Sequence, residues 1–189
     1  TLENPATGFM QTRVIAYGDG YVDLEKELGA YQLFVTRGGE LAYAYNTGTF
    51  PITGAIEFRP ETGELEYGTN DSPFEKRTHL LKFEDIGDNK LRVHGVVRYP
   101  PIGNRMVFYN TRRLGCAFFC EDSSDIHLEN VTIHSCLGMG IIAQTCHNIH
   151  LDNFNTRHKD GQYYSANVDA THFVNCTGLI TVENCLFEN

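Results

Sequence analysis

Three similar stretches of sequence decide the fold: "DIHLENVTIHS" (residues 125–135), "NIHLDNFNTRH" (148–158) and "LITVENCLFEN" (179–189). Their first residues, 125, 148 and 179, are 23 and then 31 positions apart. Aligned on these offsets, the apolar residues fall into three columns: Ile126, Ile149 and Ile180; Leu128, Leu151 and Val182; and Val131, Phe154 and Cys185. A unit of this size cannot bury its apolar side alone, so we expect the repeats to stack on one another.

A second apolar segment precedes each stretch and aligns Phe118-Phe119 with Ile141-Ile142 and His172-Phe173. Each repeat therefore holds at least two short strands. The predicted fold class is all-β, with a right-handed parallel β-helix whose rungs are the repeats. We expect an asparagine column at the bend between strands, where Asn adopts a left-handed backbone and bonds its equivalent one rung away; its members are Asn130, Asn153 and Asn184.

The first half of the chain has a different pattern, in which short alternating strands are separated by turns. "AIEFRPETGELEYG" (55–68) and "LLKFEDIGDNKLRVHG" (80–95) are typical of β-hairpins. Helical signals are poor here: the stretch "YVDLEKELGAYQ" (21–32) is the only one whose charge and leucine spacing would allow a turn or two of helix. We predict an antiparallel β-barrel here, because closing the sheet removes exposed strand edges.

These patterns give the expected domain organisation. The stretch "LENP" (2–5) repeats the Leu-acid-Asn pattern of the bends, so residues 1–7 are expected at an edge of the β-helix. Residues 8–103 would then form an inserted antiparallel β-barrel domain, and residues 104–189 the β-helix rungs. The chain starts without Met, on "TLENPATGF", and we interpret it as a piece of a longer protein.

Composition limits the partners of the chain. At 189 residues and 41% hydrophobic content it can bury a sizeable core. The net charge of −9 argues against nucleic acid as a partner, because gripping phosphates needs clustered Lys and Arg. No apolar run approaches the roughly 18–20 residues that cross a bilayer, so no membrane partner is predicted.

The six cysteines all follow residue 115 and form no Cys-x-x-Cys pair of the kind found in zinc sites. Three of them fall in apolar columns and are expected in the core: Cys116, Cys120 and Cys185. Cys146 and Cys176 would lie on neighbouring rungs, one column apart, either bridged by a disulfide or as free thiols.

Histidine and acidic residues raise the question of a metal. His127 and His150 share an outward column, but no acidic or sulfur ligand recurs beside them, which favours surface histidines over a metal site. The pair Glu121-Asp122 with Asp125 fits either a calcium ligand set or, more commonly, an acidic turn before a strand. We predict no metal and no cofactor.

The stretch "YYSANVDATHF" (163–173) is the candidate functional site. The repeat that contains it is eight residues longer than its predecessor, and the extra length falls in "RHKDGQYYS" (157–165). We expect Ala166, Val168 and Ala170 to face the interior, and Ser165, Asn167 and Asp169 to face a groove. The loop would place four side chains beside the strand that bears Asn167 and Asp169: Arg157, His158, Tyr163 and Tyr164.

Aromatic faces, amide and guanidinium donors and a carboxylic acid are the groups that a sugar site needs. The structural alternative is that Asp169 caps a turn or pairs with Arg157 for stability, because site-forming carboxylates are a minority of exposed ones. Nucleophile motifs such as Gly-x-Ser-x-Gly are absent from the sequence.

"GMGIIAQTCHNIHLDNFNTR" (138–157) followed by "YYSANVDATHFVNCTGLITVENCLFEN" (163–189) closely resembles the core of glycoside hydrolase family 110. Members of that family are exo-acting α-galactosidases that remove α-1,3-linked galactose with inversion, and barrel domains interrupt their β-helix. The resemblance places a catalytic aspartate at Asp169. Candidate contacts to an α-galactoside glycan are Gln144, Arg157, Tyr164, Asn167 and His172.

The resemblance also implies an Asp-Asp pair shortly after the Leu-Phe-Glu segment, near position 192. The 189-residue chain alone is therefore expected to be inactive. A glycan substrate implies a periplasmic or secreted location.

Two other functions fit the sequence. The chain could belong to a carbohydrate-binding or surface-attachment β-helix without hydrolysis, or, less well, to a β-helix lyase, which usually needs a Lys or Arg base and often calcium. Whatever the function, the exposed terminal rungs of the β-helix predict self-association of the chain.

Overall fold

The computed structural model describes residues 2–3, 9–29, 33–45, 48–69, 72–112 and 115–188. Strands β1 to β16, with one 3₁₀ turn at Thr78–Leu80, make up the regular structure of these residues, so the chain is all-β as predicted. It divides into two compact units. The parallel unit consists of residues 1–7 and 112–189, and the antiparallel unit of residues 8–111.

The antiparallel unit contains two sheets. One has the strand order β7-β10-β2-β3-β9-β8 and the other β4-β5-β6. The strands are β2 (Phe9–Gly18), β3 (Tyr21–Leu28), β4 (Leu33–Val35), β5 (Leu41–Tyr45), β6 (Gly48–Pro51), β7 (Gly54–Phe58), β8 (Lys82–Gly87), β9 (Lys90–His94) and β10 (Arg105–Tyr109).

Both predicted hairpins occur in this unit. β8 and β9 pair across Asp88 and Asn89, whose positive φ angles of 47° and 61° suit a tight turn. The other hairpin turns after Phe58, which bridges Leu65, although its second arm is a single bridge and not a strand. The two end strands β7 and β8 are not hydrogen-bonded to each other among the described residues. Closure into a barrel therefore stays a prediction.

The turn or two of helix that the sequence would allow within residues 21–32 does not occur in residues 21–28, which form β3. Val22 and Leu24 are fully buried, and β3 pairs with β2 on one side and β9 on the other. Two alternating apolar residues and two flanking strands outweigh the helical charge spacing, since tertiary packing overrides local propensity.

The boundary between the two units also differs from the expected one. Residues 105–109 form β10, which lies between β2 and β7 in the antiparallel sheet. Its apolar run Met106, Val107 and Phe108 is fully buried. The antiparallel unit thus extends to residue 111, where we had placed its end at residue 103.

The parallel unit also contains two sheets, of orders β1-β12-β14-β16 and β11-β13-β15, and every strand pair in them is parallel. The strands are β1 (Leu2–Glu3), β11 (Phe118–Glu121), β12 (Ser124–Ser135), β13 (Ile141–Gln144), β14 (His147–Thr156), β15 (Thr171–Val174) and β16 (Thr177–Glu183).

The predicted apolar columns are confirmed in the first of these sheets. Ile126 pairs with Ile149, and Ile149 with Ile180. Leu128, Leu151 and Val182 form the next column in the same way, and Val131 pairs with Phe154. These columns form a core with residues of the other sheet, including the fully buried Ile141 and Ala143.

Left-handed residues form corners within β12 and β14 and directly after β16, at the positions where the asparagine column predicted bends. Asn130, Asn153 and Asn184 have φ angles of 56°, 50° and 54°. The Asn153 amide donates to Asn130 Oδ1 at 2.9 Å, the rung-to-rung bond that we expected. Asn184 donates to Asp152 Oδ1 at 2.7 Å instead. Hydrogen bonds between neighbouring rungs therefore stabilise the backbone conformation at these corners.

The predicted register is wrong by one residue in the second sheet. Ile141 and Ile142 pair with Thr171 and His172, an offset of 30 and not 31. The additional residue enters later, at a bulge beyond Gly178 (φ 76°), where Leu179 N–H donates to Asn148 Oδ1 at 3.1 Å. A bulge adds one residue to one strand only, so a constant offset could not describe both sheets.

The shifted register changes the cysteine columns. Cys120, Ala143 and Phe173 now share a column, and Cys146 lies directly beside Cys176. Both thiols are free, and each contacts a backbone carbonyl, Cys146 that of Gln144 and Cys176 that of Ala143.

The first residues of the chain belong to the parallel unit, in a register different from the one expected. Leu2 pairs with Ile133 and Glu3 with Ser135, whereas the Leu-acid-Asn pattern aligned Leu2 with Leu128. Asn4, the proposed bend residue, lies outside the described residues.

Candidate active site

The segment 163–173 is not one continuous strand. Ala166 makes a single parallel bridge to Cys136, and β15 starts at Thr171. Ala166 is fully buried, as expected. Ser165 is also fully buried, and its hydroxyl donates to the Glu188 carbonyl at 2.5 Å. The prediction that Ser165 faces a groove is therefore wrong, because alternation of faces fails outside a regular strand.

Tyr164 and Asn167 support each other inside this segment. The buried Tyr164 hydroxyl donates to Asn167 Oδ1 at 2.9 Å, and Asn167 Nδ2 donates to the Leu137 carbonyl at 3.4 Å. The Asn167 backbone N–H also donates to the Gly138 carbonyl at 3.1 Å. These bonds tie the segment to the preceding rung.

Asp169 is exposed, and its partner is a histidine. Its carboxylate Oδ2 lies 3.4 Å from His172 Nδ1, with 53% and 43% of the two side chains exposed. The Asp169 carbonyl accepts the Gly140 N–H at 3.1 Å, which fixes the backbone under the carboxylate. No ion pair between Asp169 and Arg157 occurs among the described residues, so the Arg157 pairing alternative is not seen.

Close packing holds Gly140 at this point. A Cβ on Gly140 would lie 2.4 Å from the Ala170 carbonyl oxygen and 2.9 Å from a methyl carbon of Thr156. A side chain at position 140 would therefore push the Asp169 segment away from the rung below.

Gln144 lies on the same outward sheet face as His172. Ile141 and Ala143 point into the core, so Ile142 and Gln144 point outward, and His172 pairs with Ile142. Two residues along a strand and one strand spacing put Gln144 about 8 Å from His172. Gln144 Nε2 donates to Glu121 Oε1 at 3.3 Å.

Arg157 lines a groove of its own. Its backbone N–H donates to the Ile133 carbonyl at 3.0 Å, and its exposed side chain lies against the groove. The groove, of about 380 Å³, is lined by Thr132, His134, Arg157, His158, Lys159 and Asp160.

Known proteins align with most of the chain. An alpha-1,3-galactosidase A of Shewanella woodyi is 33% identical over 173 residues, which cover 90% of the chain and 28% of that protein. Alpha-1,3-galactosidases B of Phocaeicola vulgatus and Parabacteroides distasonis are 28% and 33% identical over 94% and 70% of the chain. The chain belongs to the α-1,3-galactosidase family.

The family resemblance to glycoside hydrolase family 110 is thereby confirmed. The chain spans less than a third of the length of the curated relatives that it matches, at 28%, 29% and 22%. No protein-family model matches it.

The histidines His127 and His150 of the outward column contact each other and the neighbouring rung. The rings of His127 and His150 lie 5.4 Å apart, and His150 Nδ1 contacts the Thr181 hydroxyl at 2.5 Å. Asp122 and Asp125 accept hydrogen bonds from Thr145 and Asn148 at the corners between rungs. Within the described ranges no three His, Cys, Asp or Glu side chains are placed to hold a metal ion.

Burial disfavours the thiolate form of three cysteines in the parallel unit. It raises the pKa of the Cys136 thiol, which is 4% exposed, and also the pKa of Cys116 and of Cys120.

The structure describes no helix that is long and apolar enough to span a membrane in the ranges it covers.

The contact of Glu121 with Gln144 was not predicted from the sequence, and neither was a groove lined by Thr132, His134, Lys159 and Asp160. Alternation along β12 could have identified Thr132 and His134, because they flank the buried Ile133. Nothing in the local sequence indicates the contact between Glu121 and Gln144, since it joins two rungs.

Proposed function

We propose that the protein containing this chain is an inverting exo-α-1,3-galactosidase, in which Asp169 supplies one of the two reacting carboxyl groups. The observation that carries the proposal is an exposed carboxylate on a backbone held by the Gly140 hydrogen bond, within a chain related to α-1,3-galactosidases. An inverting glycosidase needs such a carboxyl within reach of solvent and substrate.

The proposal extends to the architecture. Each repeat contributes one strand to each of the two parallel sheets, and left-handed residues form the corners. This arrangement supports successive turns of a parallel β-helix. Crossovers between parallel strands are right-handed in nearly all proteins, which supports the right-handed form. The antiparallel unit would be a barrel inserted between residues 7 and 112.

The residue roles follow from the contacts. His172 and Gln144 present polar groups on the outward face beside Asp169, and we assign them to galactose hydroxyls. Arg157 would contact the sugar from its own groove. Tyr164 and Asn167, also predicted as sugar contacts, already bond each other, which supports a role in holding the segment for Asp169.

The second carboxyl would come from outside the described residues. Inversion needs two carboxyl groups about 6.5–9.5 Å apart. On the register of β13 and β15, position 169 corresponds to Met139 of the preceding rung, which carries no carboxyl. A carboxyl on a rung stacked about 4.8 Å away on the other side of β15, and offset slightly along the strand, would meet this separation. We therefore propose that the 189-residue chain alone does not release galactose.

The test is hydrolysis of α-1,3-galactobiose by the full-length protein, followed by ¹H NMR in the first minutes. The proposal predicts β-galactose as the first product, because inversion converts an α-linkage into a β-anomer. First appearance of α-galactose would refute inversion. Saturable binding of the disaccharide without release of galactose would refute the hydrolase and favour a carbohydrate-binding β-helix.

A further inference from the structure

The groove around Arg157 concentrates positive charge in a stretch of the chain, residues 115–188, that is otherwise acidic. Residues 115–188 contain nine Asp and Glu residues but two Lys and Arg residues, and both of those two, Arg157 and Lys159, line this groove. The imidazoles of His134 and His158 and the Thr132 hydroxyl complete the lining, with Asp160 as its one carboxylate. The groove can therefore attract an anion although the chain carries a net charge of −9.

The backbone beneath these charges is fixed. Arg157 N–H donates to the Ile133 carbonyl, and the Arg157 carbonyl lies 3.0 Å from His134 Nδ1. Two hydrogen bonds close a turn between Lys159 and Gln162. The Gln162 backbone N–H donates to the Lys159 carbonyl at 2.9 Å, and the Lys159 backbone N–H donates to Gln162 Oε1 at 3.4 Å. A fixed backbone lowers the entropy lost when a ligand binds.

The Arg157 guanidinium is available to a ligand. Its side chain is exposed, and among the described residues no hydrogen bond or ion pair to the guanidinium is recorded. A guanidinium presents a planar fork of N–H donors that matches two oxygens of a carboxylate, sulfate or phosphate. The paired oxygens and the negative charge of an oxyanion match this fork, which favours an oxyanion on a sugar as its ligand.

We propose that this groove binds the oxyanion substituent, a sulfate ester or a carboxylate, of an acidic galactose-containing glycan. Binding of the oxyanion rests on the groove alone, whereas its attachment to a glycan rests on the proposed function. Arg157 forms the bidentate contact, and Lys159 and the Thr132 hydroxyl add a charge and a neutral donor.

The experiment is isothermal titration of the 189-residue chain with galactose 6-sulfate, galactose and sodium sulfate at one fixed ionic strength. We expect galactose 6-sulfate to bind more tightly than either of the others. Arg157→Gln should weaken that binding about 10- to 100-fold, the range for loss of a charged hydrogen-bond pair. The matched control is Arg37→Gln, which removes the same charge from an exposed arginine of the antiparallel unit and should change the dissociation constant less than about twofold.

Protection of the buried thiols of Cys136 and Cys146 shows that the parallel unit, which contains the groove, is folded in each variant. Equal weakening by both substitutions, or no binding of galactose 6-sulfate to the folded chain, would overturn the oxyanion site. Sodium sulfate binding as tightly as galactose 6-sulfate would overturn its assignment to a glycan. Asp169→Asn should leave this binding unchanged, so failure of the catalytic proposal is distinguishable from failure of this one.

Discussion

The apolar columns of the parallel unit contain a matched pair of isoleucines on which the stacking account can be tested. Ile149 and Ile180 are the same residue in the same column on adjacent strands. Ile149 is 1% exposed in the core, whereas Ile180 on the edge strand β16 is 37% exposed. Replacing each by Ala removes the same atoms from two different environments.

The expected effects differ because of burial. Three carbon groups at about 0.8 kcal/mol each give Ile149→Ala a transfer cost of about 2.4 kcal/mol. The enclosed cavity adds to this, for a total loss of about 2–5 kcal/mol in the free energy of unfolding. At Ile180 the exposed fraction reduces the transfer cost to about 1.5 kcal/mol, and an open edge leaves no enclosed cavity.

Cysteine reactivity measures this unit alone, because all six cysteines follow residue 115. The chain is equilibrated in increasing urea, pulsed with a thiol-alkylating reagent, and the labelling of Cys136 and Cys146 is quantified by mass spectrometry. Both thiols are buried and become labelled when the unit unfolds. Equal destabilisation by the two substitutions, or a loss below about 1 kcal/mol for Ile149→Ala, would refute the stacked core.

Further predictions concern packing, pH and association. Gly140→Ala should destabilise the parallel unit by about 1–3 kcal/mol in the same assay, because its Cβ would clash with the Ala170 carbonyl oxygen. Gly115→Ala is the control and should have little effect, because the space around its Cβ is open. Burial raises the pKa of the Cys136 thiol, so the unfolded chain loses this proton at a lower pH than the folded chain. The free energy of unfolding should therefore decline as the pH rises above about 8.5. Cys136→Ala should make this decline shallower in urea melts followed by circular dichroism. The partly exposed apolar residues of β16 predict self-association, which Val182→Lys should reduce in light scattering; a wild-type chain that stays monomeric at high concentration would contradict this.

The strand columns of the parallel unit could be predicted from sequence because like residues recur at the same face. Ile126, Ile149 and Ile180 fall into register once the repeats are aligned, and turn chemistry located the β8–β9 hairpin. The bulge at Gly178 could not be predicted, since one inserted residue changes the pairing without changing the composition of either strand.

Individual contacts around Asp169 and Ser165 differ from the predicted ones. Asp169 is exposed as expected, but its partner is His172, whereas Arg157 lines a different surface. Ser165 is buried because the segment departs from strand geometry, and alternation holds only within a regular strand. Contacts between rungs, such as that of Gln144 with Glu121, depend on register and are not encoded locally.

The central claim is that Asp169 is a reacting carboxyl of an α-1,3-galactosidase, and the initial rate of galactose release by Asp169→Asn in the full-length protein tests it most directly. The account predicts a fall in kcat of about 10²- to 10⁴-fold on α-1,3-galactobiose, with thiol protection unchanged. Asp19→Asn, an exposed aspartate in the turn between β2 and β3, should keep the wild-type rate. A folded Asp169→Asn protein with wild-type kcat would contradict the account.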